Sequence, residues 1–158
     1  MTESYLQVLV ESLEKKNEVL DKLMELDDRQ AMISLGPDMD VKAYDESMEE
    51  KGKLIDEINR LDEGFATTYE IIKDEVKADP SKYKDTVLYL QDLIREAIDK
   101  GTSIEAKESR NRLALDKFFK SKRSEVKQQR VSTAAATKYY KAMSKINNVD
   151  PQLMDRKK

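Results

Sequence analysis

Proline occurs only three times in this chain of 158 residues, and glycine only four times. Two of the prolines stand in the turn-like sequences Gly36-Pro37-Asp38 and Asp79-Pro80-Ser81, and the third follows Asp150. Proline disfavours a helical conformation in the residue before it, and glycine and aspartate are typical of turns. The chain is therefore divided into long stretches with few helix breakers, which predicts a small number of long helices.

Each stretch carries apolar residues at spacings of three and four, the pattern of a helix with one apolar stripe. The first stretch covers about residues 3–33, with Leu6, Leu9, Val10, Leu13, Leu20, Leu23 and Met24 on the stripe. The second covers about 41–78, with Val41, Tyr44, Met48, Ile55, Ile58, Leu61, Phe65, Tyr69, Ile72 and Val76, while Lys51 and Leu54 fill a gap. The third begins near Ser81 or Tyr83 and continues to about Gln129, with Val87, Leu90, Ile94, Ile98, Ile104, Leu115 and Phe119, widened by Leu88, Leu93, Leu113 and Phe118.

These stretches predict an all-α fold, because no segment shows the period of two that a strand requires. Short connections between long helices make sequence neighbours antiparallel. We therefore predict an elongated antiparallel three-helix bundle or coiled coil over residues 1–130. Residues 131–158 are predicted to form a C-terminal amphipathic helix or a flexible tail.

The side chains needed for most catalytic sites are missing, since the chain has no histidine and no cysteine. A thiolate nucleophile, an imidazole acid–base pair and the usual zinc ligands are thereby excluded. We interpret the acidic pairs as solvated helix faces rather than ligand sets, and we predict no enzymatic activity, no cofactor and no metal site. These pairs are Asp27-Asp28, Glu49-Glu50, Asp56-Glu57 and Asp62-Glu63.

The sequence also indicates where the protein works. Its beginning, MTESYLQVLVESLEKK, has neither the basic start nor the apolar run of a signal peptide. No stretch approaches the roughly 20 apolar residues that span a membrane. The lack of cysteine fits a compartment without oxidative folding. We expect a soluble cytoplasmic protein that does not insert into a membrane.

Charge is distributed unevenly along the chain. Residues 1–106 hold 14 Lys and Arg against 27 Asp and Glu, whereas residues 107–158 hold 15 against 5. In one interpretation the basic segment packs on the acidic helices, and in the other it meets an acidic partner. Nucleic-acid binding is not expected, because the net charge of the whole chain is −3.

The C-terminal sequence AAATKYYKAMSKINNVDPQLMDRKK is separated from the apolar stripes by the polar stretch 124–133. Apolar and aromatic residues in a basic segment that is too polar to fold alone are typical of elements that fold on a partner. We therefore predict that this segment binds another protein, with Tyr139 and Tyr140 as anchors. Its other apolar residues are Met143, Ile146, Leu153 and Met154.

The order of these parts resembles the FlgN family of flagellar type III export chaperones. The resemblance rests on LVESLEKKNEVLDKLMELDDRQ, on EEKGKLIDEINRLDEGF and on the separated C-terminal segment, whose closing LMDRKK is the most specific match. It implies a small cytoplasmic chaperone that binds hook–filament junction (hook-associated) proteins and prevents their premature polymerisation. Such a chaperone delivers its cargo to the export gate and the associated ATPase.

The resemblance also implies that cargo binds to the C-terminal part of the chain. The residues that it designates are Tyr139, Tyr140, Met143, Ile146, Leu153 and Met154, with Asp155 and Arg156 as the charged part of the terminal motif. The related chaperone of the filament-cap protein is an alternative. Another is a structural coiled coil or helical scaffold whose tail docks on its own bundle. We expect a monomer or a weak dimer.

Overall fold

A computed structural model describes residues 1–36, 38–126 and 141 of the chain. It contains the helices α1 (Thr2–Ile33), α2 (Val41–Ala78) and α3 (Lys84–Val126). The helices pack against one another, which confirms the predicted all-α three-helix bundle. The third helix begins slightly later than predicted, because a turn occupies residues 80–83. The predicted terminal helix or tail lies outside the described residues, apart from Lys141.

The connection between α1 and α2 shows the predicted turn chemistry. Gly36 adopts a φ of 80°, in the left-handed region that glycine enters without steric cost. Asp40 caps α2, because its carboxylate accepts a hydrogen bond of 3.0 Å from the backbone N–H of Ala43. Both features stop one helix and start the next within a short connection.

Ion pairs between the helices define their directions. As the residue number rises along α1, that of the partner falls along α2 and rises along α3. α2 is therefore antiparallel to α1, and α3 is parallel to α1. The pairs are Lys16–Asp62 and Asp27–Lys51 between α1 and α2, and Asp21–Lys100 and Asp28–Lys107 between α1 and α3.

The first helix lies at the centre of the bundle. α1 packs closely on both α2 and α3, whereas among the described residues no Cα atom of α2 comes within 8 Å of one in α3. The core has two apolar clusters, a lower one near the start of α1 and an upper one further along that helix. The lower cluster contains Leu6, Leu9, Val10, Leu13, Ile72, Tyr83, Leu90 and Leu93. The upper cluster contains Val19, Leu20, Leu23, Met39, Tyr44, Met48, Ile55, Ile58, Ala97, Ile104, Leu115 and Phe119.

Three residues that the sequence pattern placed on the apolar stripes are exposed instead. Tyr69, Leu88 and Leu113 all face solvent to a large extent. The last two lie two residues from a buried leucine, and that separation corresponds to a rotation of about 200° around a helix. The predictions that Tyr69 lies on the buried stripe of α2 and that Leu88 and Leu113 widen the core are therefore wrong, and all three belong to the outer surface. Among the described residues, no helix is long and apolar enough to cross a membrane.

Candidate protein-binding site and buried polar layers

The eight residues that the sequence designates as a protein-binding site lie outside the described residues. They are Tyr139, Tyr140, Met143, Ile146, Leu153, Met154, Asp155 and Arg156. The structure does define the helix from which that segment continues. The geometry at the end of α3 is therefore the part of the candidate site that can be described.

α3 extends past the other two helices. Counted from the level at which Lys51 contacts Glu108, Val126 lies about 27 Å further along α3, at 1.5 Å per residue. By the same measure, α2 begins only about 15 Å from that level, and α1 ends about 9 Å from it. Phe119 is the last core residue of α3, and most of the residues that follow it up to Glu125 are exposed. The last turns of α3 therefore project about 12 Å beyond the bundle.

The projecting end of α3 is basic. Lys117, Lys120, Lys122 and Arg123 stand in and just before it, and Glu125 is the acidic residue among them. Lys122 Nζ pairs with the Glu125 carboxylate at 3.2 Å and lies 5.6 Å from the centre of the Phe118 ring. This end carries a positive surface next to a partly exposed aromatic ring.

The acidic pairs do not all lie on solvated faces. Asp27 and Asp62 are buried, whereas Asp28 and Glu63 are exposed, so the sequence interpretation is wrong for one member of each of these two pairs. The sequence did contain an indication that these two residues are buried, because both continue an apolar stripe at spacings of three and four. Asp27 follows Leu20 and Leu23, and Asp62 follows Ile55 and Ile58. A charged residue at a stripe position indicates a buried ion pair more than a solvated face.

Asp27 belongs to a polar layer that crosses all three helices, which we call the Lys51 layer. It consists of Asp27, Gln30, Ser47, Lys51, Glu108 and Asn111, all of them buried. Lys51, with 1% of its side chain exposed, places Nζ 2.5 Å from Asp27 Oδ1 and 2.7 Å from Glu108 Oε1. It also donates a hydrogen bond of 2.6 Å to Gln30 Oε1. One ammonium group from α2 therefore meets two carboxyl groups, one from α1 and one from α3.

Amide groups complete the Lys51 layer. Asn111 Nδ2 donates to the backbone carbonyl of Asp27 at 3.0 Å and to Gln30 Oε1 at 3.3 Å. Gln30 Nε2 in turn donates to Ser47 Oγ at 2.9 Å. These bonds fix the relative rotation and height of the three helices, because an unpaired buried polar group costs about 1–3 kcal/mol.

The Asp27 carboxyl group has a strongly perturbed acidity. Its pKa is raised from 3.8 to about 8, chiefly by burial and also by the nearby Glu108 carboxylate, against the opposing effect of Lys51. Desolvation disfavours a buried carboxylate, and a second carboxylate beside it has the same effect. A proton on Asp27 brings the group formed by Lys51, Asp27 and Glu108 close to electrical balance.

A second buried layer, the Lys16 layer, consists of Lys16, Asn17 and Asp62. Lys16 Nζ lies 2.6 Å from Asp62 Oδ1, and the two side chains are only 2% and 4% exposed. Asn17 Nδ2 donates a hydrogen bond of 3.2 Å to the backbone carbonyl of Leu93 in α3. This layer holds one cation against one anion, in contrast to the Lys51 layer.

Part of the basic C-terminal half neutralises the acidic helices, as one interpretation of the charge distribution predicts. Lys107 and Arg110 of α3 reach the Asp28 carboxylate of α1 at 2.6 and 3.4 Å. The hydrogen bond from Lys107 lowers the pKa of Asp28, and Arg110 adds to this effect. These pairs lie at the surface, where each contributes only about 0–1 kcal/mol.

The remaining surface offers less defined features. A shallow, open depression on α2 is lined by Ala66, Thr67, Glu70 and Ile71. Within the described ranges, no group of three or more acidic side chains is arranged to hold a metal ion. Comparison of the whole chain with profiles of known protein families, with curated proteins and with solved structures gives no match.

Proposed function

We propose that this protein is a flagellar export chaperone that binds hook–filament junction proteins through its C-terminal segment. In this role it works in the cytoplasm, keeps its cargo from polymerising early, and delivers it to the export gate and ATPase. The proposal rests on the resemblance to the FlgN family and is supported by the geometry at the end of α3.

The observation that carries the proposal is the projection of α3 beyond the bundle. The described helices bury apolar residues such as Leu9, Ile58 and Leu115 against one another. Beyond Phe119, α3 continues with mostly exposed residues and leads directly into the segment that contains Tyr139 and Tyr140. A folded helical body followed in sequence by an apolar and basic segment suits a protein whose segment folds onto a partner.

Binding coupled to folding also suits a complex that must release its cargo. Ordering a segment on binding costs roughly 2–5 kcal/mol of the gross interaction energy. Affinity per unit of buried area is correspondingly lower than for two rigid surfaces. The body of the chaperone stays folded while cargo binds and leaves.

The proposal is tested with the full chain and purified junction proteins. The test variant is Tyr139→Ala/Tyr140→Ala, and the matched control is Tyr89→Ala, which removes a partly exposed tyrosine from the surface of α3. Each interface tyrosine that acts as an anchor contributes about 2 kcal/mol or more, so the double variant should bind at least 100-fold more weakly by titration calorimetry. The control should bind as the wild type does.

Unchanged affinity of the double variant for every junction protein would refute the assignment of the binding segment. If none of the junction proteins binds the wild-type chain, the proposed function fails. Binding of the filament-cap protein instead would identify the alternative chaperone class. A chain shortened by residues 131–158 should keep the helical circular dichroism of the bundle and lose cargo binding.

A second candidate is a structural helical scaffold whose tail docks on its own bundle. It is favoured by charge, because residues 1–126 hold 21 Lys and Arg against 30 Asp and Glu, and residues 127–158 hold 8 against 2. The pairing of Lys107 and Arg110 with Asp28 is an example of such neutralisation. Amide exchange distinguishes the two: slow exchange over 131–158 in the isolated protein supports docking, and fast exchange supports a segment available for cargo. Light scattering tests whether a scaffold dimer forms.

A further inference from the structure

Within the Lys51 layer, one ammonium group contacts two carboxyl groups. Lys51 of α2 is its ammonium group, and its two carboxyl groups come from Asp27 of α1 and Glu108 of α3. The three side chains are at most 6% exposed, so water does not compensate for a surplus charge. With both acids ionised the group would carry a net negative charge in the core, which is unfavourable in a medium of low polarity.

Other charged groups surround this site on α1 and α3. On α1, Asp28 points to the surface and is paired with Lys107 and Arg110 of α3. On α3, Arg112 lies one turn beyond Glu108 and is half-buried. Arg110 also donates to the backbone carbonyl of Asp27 at 3.2 Å. Arg110 thus contacts the layer at the Asp27 carbonyl and, at 3.3 Å, at Asn111 Oδ1, whereas Lys51 contacts the two buried carboxyl groups themselves.

We propose that the Lys51 layer is a proton-dependent clamp that holds the C-terminal half of α3 on the α1–α2 hairpin. With a proton on Asp27 the charges of Lys51, Asp27 and Glu108 are balanced, and α3 is held closed. Loss of that proton leaves a surplus negative charge between the helices, and Glu108 is then repelled from Asp27. Because residues 127–158 follow α3 in the chain, loosening α3 would change the position from which that segment starts. This inference does not depend on the proposed export function.

The direction in which stability changes with pH follows from the raised pKa of Asp27. Burial raises the pKa of Asp27 from 3.8 in the unfolded chain to about 8 in the folded protein. The stability gained from the bound proton is therefore fully present below a pH of about 4 and is lost as the pH rises through about 8. Within this window, one proton released on unfolding raises the unfolding equilibrium constant about 10-fold per pH unit.

Few other side chains of this protein titrate in the pH range of the test. No histidine and no cysteine is present, so the side chains that ordinarily titrate between pH 6 and 8 are missing. The test measures urea unfolding of the full chain at pH 6, 7 and 8 for the wild type, Asp27→Asn and Glu108→Gln. Either substitution leaves one cation facing one anion. Asp28→Asn is the matched control, because it makes the same change one residue along the chain at an exposed carboxylate.

We expect the unfolding constant of the wild type and of Asp28→Asn to rise about 50-fold from pH 6 to pH 8, since a group with a pKa of about 8 is half-protonated at pH 8. The constants of Asp27→Asn and Glu108→Gln should change less than about 3-fold over the same range. A wild-type constant that does not rise overturns the proposal by itself, whatever the variants do. Parallel pH profiles for the wild type and both layer variants overturn it as well.

Amide exchange at one fixed pH then locates the effect without any correction for intrinsic rates. At pH 8, peptides covering 104–119 of α3 should exchange about 10-fold or more faster in the wild type than in Asp27→Asn. Peptides covering 6–13 of α1, in the lower cluster, should differ much less. A uniform difference across all three helices would show general destabilisation and would overturn the clamp.

Discussion

The buried ion pair of the Lys16 layer allows a direct test of whether charge pairing or side-chain packing stabilises that layer. Lys16 and Asp62 lie 2.6 Å apart and are almost completely shielded from water. Removing one partner leaves the other charge uncompensated in the core, which typically costs 3–5 kcal/mol. We therefore expect Lys16→Met and Asp62→Leu each to lower the free energy of unfolding by about that amount.

The double variant should behave very differently from the sum of the two single variants. Replacing a buried ion pair by apolar side chains of similar volume is often neutral or stabilising. We expect Lys16→Met/Asp62→Leu to lie within about 1–2 kcal/mol of the wild type. The coupling arises because each single variant keeps one buried charge and removes the opposite charge that it faces in the wild type.

The assay is urea unfolding of the four proteins, followed by helical circular dichroism at pH 7. With a denaturant slope near 1.5 kcal/mol/M, a loss of 3 kcal/mol lowers the midpoint by about 2 M. Single variants that lose less than about 1 kcal/mol would show that the charges are hydrated rather than buried. A double variant as unstable as the sum would show that packing of these side chains, not charge pairing, is what stabilises the layer.

Two further substitutions test the packing and the capping of the helices. Leu115→Ala, at a residue with 0% exposure, should lower the free energy of unfolding by about 2–5 kcal/mol, whereas Leu113→Ala, at 70% exposure, should change it by about 0.5 kcal/mol or less in thermal or urea unfolding. Equal effects would show that the rotation of α3 about its axis is wrong. Asp40→Ala should cost about 1 kcal/mol by removing the N-cap of α2, and the nearby Asp38→Ala serves as its control. An unaltered stability of Asp40→Ala would show that the cap does not stabilise the helix.

The number, order and approximate bounds of the helices could be predicted from the sequence, because their breaks are set by local chemistry. Gly36, Asp40 and Pro80 act on their immediate neighbours, and no distant contact is needed to interpret them. The stripe of α2 was equally readable and included Lys51 as a residue that fills a gap. What it could not provide was the partners of that lysine, since these come from two other helices.

The rotation of each helix about its own axis was harder to predict from the sequence. Asp27 and Asp28 have the same chemistry and are adjacent, yet one is buried and the other is exposed. A difference of one residue is a rotation of 100°, and it is decided by tertiary packing rather than by local preference. The same reason explains why Leu113 was predicted to widen the core beside Leu115 but faces solvent. The tail residues from Tyr139 onward remain predictions.

The central position of α1 has a consequence for the time during which the chain is made. α1 is synthesised before the other two helices, yet within the described part of the chain one of its sides is covered by α3, the last of the three to be made. At about 5–20 residues per second, roughly 4–17 s separate the synthesis of Ile33 from that of Phe119. During this interval an α1–α2 hairpin can form, while the side of α1 that will meet α3 stays open to water or to other nascent chains. The unfinished chain therefore exposes apolar surface of α1 that the finished bundle covers with α3.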